Sequence, residues 1–131
     1  MRADVKEELL KAQESKLDAV VIYRYLASRA KNEEIKSTLM KIASDEGKHA
    51  GMLRKYTNTS LKKKEKPAFR FRLMTRVFGL KMMLRMMLTT EQKSVEAYRP
   101  AAAGNPQLRD LLKDERRHVD LITEMLNKKK K

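Results

Sequence analysis

Two short stretches, Asp45-Glu46-Gly47-Lys48-His49 and Asp114-Glu115-Arg116-Arg117-His118, hold the only two histidines in the chain of 131 residues. In each, a glutamate precedes the histidine by three positions, close to one helical turn, so both side chains leave the same face. Around the first stretch, Ile35, Leu39, Ile42, Glu46, His49, Leu53 and Tyr56 recur at alternating steps of four and three. Leu108, Leu111, Glu115, His118, Ile122 and Met125 repeat that pattern around the second. This is the spacing of a helix with one buried seam. Each Glu-x-x-His therefore lies on the stripe that should be dry.

Reading outward finds two more such seams. Leu9, Gln13, Lys16, Val20, Tyr23, Ala27 and Ala30 mark a first helix from about Ala3 to Lys31, and a second starts near Asn32–Glu34 and ends near Tyr56. Residues 57–67 (TNTSLKKKEKP) read as a linker, with Pro67 discouraging helix before it. A short basic and apolar piece, Phe69–Phe78, is divided by Gly79 from a third long helix over about Leu80–Tyr98, with the seam Leu80, Leu84, Met87, Glu91, Ser94 and Tyr98. Arg99-Pro100 and Gly104-Asn105-Pro106 punctuate the next turn, where Asn105 can cap a fourth helix that has Pro106 at its first position. Short connections make helices one and two, and three and four, antiparallel neighbours. About 11 extended residues reach roughly 35 Å, enough to return along the molecule. The expectation is an all-α four-helix bundle with one long crossover between helices 2 and 3. It forms a single domain over residues 1–127, with a basic crossover at 57–79 and a basic tail at 128–131.

Composition agrees with that class and removes others. Gly (4) and Pro (3) are too scarce for an all-β chain, and the absence of Cys excludes disulfides, thiolate zinc sites, Cys-ligated clusters and a Cys nucleophile. The net charge of +14 is local. Residues 54–85 hold eleven Lys/Arg against Glu65 alone, the four terminal lysines add the rest, and the remainder is balanced. No signal-like apolar region starts the chain, and no uncharged run nears the roughly 20 residues that span a bilayer. A cytoplasmic protein is expected, peripheral to a membrane if it touches one.

Burying an uncompensated carboxylate costs several kcal/mol, more than an apolar contact returns. Glu46, His49, Glu91, Glu115, His118 and Lys16 on the seams must therefore pair with one another or hold a cation. Carboxylates with imidazoles and no thiolate suit iron or manganese. One Glu-x-x-His in a charged helical chain is commonly chance; two in register with partner seams point to metal. Tyr23 and Tyr98 share the seams, either as groups that hydrogen-bond ligand carboxylates or as core aromatics with a polar handle.

The text AQxxxLxxxxIYRYLAxRAK, IAxDEGKHAGMLRKYT, RVFGLKMML and KDERRHVDLI resembles the rubrerythrin branch of the ferritin-like superfamily over roughly residues 10–125. It is particularly similar to the rubrerythrin-type domain that precedes some vacuolar-iron-transporter-type membrane domains. The resemblance implies a ferritin-like bundle and a di-iron or mixed-metal centre built from two single glutamates and two Glu-x-x-His motifs, without haem. Carried over, Glu46, His49, Glu115 and His118 match the motifs and Glu91 matches the third-helix glutamate. Two positions depart from the pattern: Lys16 stands where a first-helix glutamate belongs, and Ser94 where a further acid is often found. Either the Lys16 ammonium, facing Glu46 or Glu115, takes the charge role of one metal and leaves a mononuclear site or a salt-bridged empty one, or it lifts toward solvent and Gln13, Glu14 or Asp18 reaches the site. Of those three, Gln13 is best placed on the seam.

Two functions from different classes follow. The first is a metal-carboxylate protein acting on peroxide or dioxygen, or handling iron. Lacking a Cys-held iron module, it would take electrons from an external donor, and it would form a homodimer as ferritin-like proteins do. The second is a non-enzymatic bundle whose basic segment 54–85 binds an anionic membrane or an acidic partner protein. No nucleic-acid-reading motif is present, and no nucleic-acid partner is expected.

Overall fold

A computed structural model describes residues 3–62 and 64–128, so Lys129, Lys130 and Lys131 of the basic tail lie outside the described residues. Among the described residues the secondary structure is five helices and no strand: α1 (Ala3–Arg29), α2 (Glu33–Thr57), α3 (Phe69–Phe78), α4 (Leu80–Ala102) and α5 (Pro106–Asn127). The chain divides into two compact units, Met1–Phe69 and Arg70–Lys131.

In the first unit α1 packs along α2. Of the seam residues Tyr23, Ala27, Leu39, Ile42 and Leu53 are buried, with Leu26 and Ala43 beside them, whereas Leu9, Val20, Ala30, Ile35 and Tyr56 are half-buried. Asn32 starts α2 by accepting the Glu34 and Ile35 amides on its side chain, satisfying donors that a helix start leaves open. Asn58 ends it in the left-handed conformation (φ 52°), its N–H donating to the Arg54 carbonyl at 2.8 Å. The end is further locked to α1. Gln13 Nε2 donates to the Thr59 carbonyl at 2.8 Å, and the Thr57 hydroxyl donates to Gln13 Oε1 at 2.7 Å. Beyond it the linker is tethered, with Lys64 Nζ 2.6 Å from Asp18 and 3.9 Å from Glu14. The hydrogen bond to Asp18 raises the Lys64 pKa above its ordinary value, so this exposed tether persists until pH rises past that raised value.

In the second unit α4 packs along α5. Met83, Leu84, Met87, Val95 and Tyr98 of α4 and Leu108, Leu111, Leu112 and Ile122 of α5 are buried. Gly79 adopts φ 84° between α3 and α4, a conformation an L side chain rarely takes, which is why the break falls there. Asn105 caps α5, accepting the Gln107 and Leu108 amides, with Pro106 at the first position. One boundary differs from the sequence expectation: α4 runs through Arg99-Pro100 to Ala102. So close to the end, Pro100 removes a single amide donor, and the strong helix formers Ala101–Ala103 carry the turn on. The Ala103 N–H still reaches the Pro100 carbonyl at 3.4 Å.

Gly51 sits inside α2, exposed, with nothing within 4 Å of where a Cβ would lie. Alanine there has lower unfolded-state entropy and better helix propensity at no steric cost. Gly51→Ala is expected to raise stability by about 1 kcal/mol, read as a few degrees in thermal unfolding.

Candidate metal centre

Helix α1 turns Lys16 inward, and α2 turns Glu46 and His49 inward, on the seams that bury the apolar residues of the first unit. All three are at least 95% buried. The Lys16 ammonium donates to Glu46 Oε2 at 3.0 Å, and His49 Nδ1 lies 3.0 Å from Glu46 Oε1. Both oxygens of one buried carboxylate are thus engaged, one by a full positive charge. Lys16 does not lift toward solvent here: it is 4% exposed and bonded to Glu46. The stem is long enough to have escaped, but burial of α1 against α2 leaves the Glu46 carboxylate as the stable place for an ammonium.

Gln13 is engaged elsewhere. Its amide oxygen and nitrogen serve Thr57 and Thr59 at the end of α2, which makes it a structural clamp. Glu14 and Asp18 face Lys64 of the linker instead of the interior. The signal for the clamp was present in the polar run Thr57-Asn58-Thr59 after the seam ends, but only a fold says which side chain meets it.

In the second unit α4 supplies Glu91, and one turn of α5 supplies Glu115 and His118. These three are buried to 2% exposure or less. One ligand-type atom from each lies within 4.8 Å of those of the other two, and His118 Nδ1 is 3.7 Å from Glu91 Oε1. Each residue has polar partners through some of its atoms, yet Glu91 Oε2, Glu115 Oε2 and His118 Nδ1 make no hydrogen bond. Two carboxylates and an imidazole converging at this spacing, deep in a helical pair, form a hard oxygen-and-nitrogen donor set. Such a set could hold a metal cation. Tyr23 and Tyr98 are buried on the inner stripes of their respective units, and Ser94 is half-buried.

The sequence matches the Rubrerythrin family over residues 7–128. The chain belongs to the rubrerythrin family. Searches of curated proteins and of solved structures return no match. Membership agrees with an all-helical chain of the kind that builds a ferritin-like bundle, and rubrerythrins are metal-carboxylate proteins. At Lys16, where the sequence resemblance implies a first-helix carboxylate, an ammonium stands bonded to Glu46 of α2. Among the described residues, no helix is long and apolar enough to cross a membrane.

Proposed function

We propose that this rubrerythrin-family protein holds a single divalent iron or manganese ion on Glu91, Glu115 and His118, while Lys16 takes the place of a second ion beside Glu46. The observation that supports this most is charge balance within each helical pair. In the first, one ammonium neutralises one carboxylate at 3.0 Å. In the second, two buried carboxylates and an imidazole match one divalent cation. A second divalent ion would leave excess positive charge in a dry interior, which costs several kcal/mol. Glu46 and His49 complete the family's pattern. In this chain they serve a metal only through a carboxylate already shared with Lys16.

An ion of this kind supplies one-electron redox chemistry toward peroxide or dioxygen, or serves as stored or transferred iron. With no Cys among these 131 residues, electrons for the redox reading come from a donor outside them. The protein's own contribution is to bury the donors, exclude bulk water and fix the imidazole against Glu91.

Elemental analysis of protein purified with iron or manganese supplied tests the stoichiometry. The wild type is expected to hold about one ion per chain and His118→Ala close to none, whereas Lys16→Glu, which restores the family's carboxylate, rises toward two. Wild type holding no transition metal, with thermal unfolding unmoved by added Mn(II), would remove the proposal. A wild type already holding two ions would remove the role given to Lys16.

A further inference from the structure

Helix α3 and the start of α4 lie outside the metal reading. On α3 the residues Phe69, Leu73 and Val77, spaced by four, are 68%, 47% and 66% exposed and share one face. Thr75 on the opposite side is buried, and Phe71 and Met74 are half-buried, so α3 has a protein-facing side and the apolar stripe is not that side. Arg70 and Arg76 are exposed and flank the stripe at its two edges. Across Gly79 the composition repeats: Met82 and Met86 are exposed one turn apart, beside exposed Lys81 and Arg85. No acidic residue occurs between Glu65 and Glu91. Large apolar side chains held in water by a folded helix mark a surface that something covers.

We infer that α3 and the first turns of α4 dock on the surface of an anionic lipid bilayer. Phe69, Leu73 and Val77 would enter the headgroup and acyl boundary, and Arg70, Arg76, Lys81 and Arg85 would engage acidic headgroups. Charge selects this occupant. A second copy meeting the same face about a two-fold axis would bring arginines and lysines against arginines and lysines with no acid to offset them. A nucleic acid would use the cations but leave the Phe, Val and Met faces without a partner. An anionic bilayer satisfies both halves at once: apolar side chains sink about 5–10 Å into the boundary while cations stay at the phosphates. The absence of a bilayer-crossing helix among the described residues agrees with docking in the plane of the surface.

Co-sedimentation of the full chain with vesicles tests this, using phosphatidylcholine alone and phosphatidylcholine mixed with phosphatidylglycerol. The protein is expected to pellet with the anionic vesicles at low salt and to stay in solution with the neutral ones. It should be released near 1 M salt, where the Debye length falls to about 3 Å. Phe69→Ser/Val77→Ser and Arg70→Glu/Arg76→Glu should each lower the partition coefficient by at least about tenfold. All four positions are exposed, and unchanged helical circular dichroism and metal content confirm that the variants fold. Wild-type protein that stays in the supernatant with anionic vesicles at low salt overturns the inference. So does equal binding to neutral vesicles, or a Phe69→Ser/Val77→Ser variant that partitions like wild type. The inference also fails if that variant only turns a dimer into a monomer in sedimentation velocity.

Discussion

Lys16→Met is expected to destabilise the metal-free protein by about 3–5 kcal/mol, because it strips the cation from a carboxylate that cannot reach water. Glu46 is 1% exposed, and the ammonium that meets its Oε2 at 3.0 Å is itself 4% exposed. The methionine stem fills nearly the same volume, so packing changes little and the loss is electrostatic. Denaturant titration of the wild type, Lys16→Met, Glu46→Gln and the double variant isolates the pair. The double variant should recover most of the loss, since a neutral amide beside a thioether needs no counter-ion. A coupling energy above about 2 kcal/mol is expected for groups in direct contact. If Lys16→Met costs less than about 1 kcal/mol, the ammonium is not what balances Glu46, and its role in place of an ion is lost.

The second large effect concerns metal removal. Glu91 and Glu115 present carboxylate oxygens within 4.8 Å of each other in a buried site. At an effective dielectric of about 20, two unit charges at that distance repel by about 3–4 kcal/mol. A cation between them converts this repulsion into attraction. Stripping the protein with a chelator should therefore lower its unfolding temperature clearly, with Mn(II) restoring it. Glu115→Gln should behave in the opposite way: more stable than wild type after chelation by up to about 3 kcal/mol, and unresponsive to added Mn(II). Thermal unfolding with and without Mn(II), read by circular dichroism, distinguishes the four states. A Glu115→Gln protein as responsive to metal as the wild type would show that the ion, if any, binds elsewhere.

The two predictions probe opposite solutions to one problem, a buried carboxylate. In the first helical pair the chain supplies its own cation; in the second, on the proposed reading, it presents donors to one from outside. Breaking either arrangement by removing only the positive partner is costly, whereas neutralising the carboxylate as well is tolerated. This asymmetry also explains why the Glu-x-x-His motifs, so alike in spacing, differ in environment. His49 Nδ1 points back at its own glutamate at 3.0 Å, and His118 Nδ1 faces Glu91 of the neighbouring helix at 3.7 Å.

The local elements were readable in the sequence because they are set by local rules. Four seams of alternating three and four, Asn105 as a cap with Pro106 at a helix start, and Gly79 at a break mark the helices, and the seams pick out much of the core, although Leu26, Ala43 and Val95 are buried beside them. The inward placement of Lys16, Glu46, Glu91, Glu115 and His118 follows from the same periodicity. Pro100 shows the limit of such signals, since a proline near a helix end is an obstacle or a passenger depending on the turn after it. What tertiary structure alone decided is which partner each polar seam residue meets. Gln13 and Lys16 share a stripe, yet one clamps the threonines at the end of α2 and the other enters the Glu46 ion pair. The exposed face of α3 was equally undetermined, because an apolar and basic helix of ten residues can turn either side to the protein. Periodicity specifies a direction around one helix axis. A salt bridge or a bare hydrophobic face depends on what another helix, distant in sequence, brings within a few ångströms.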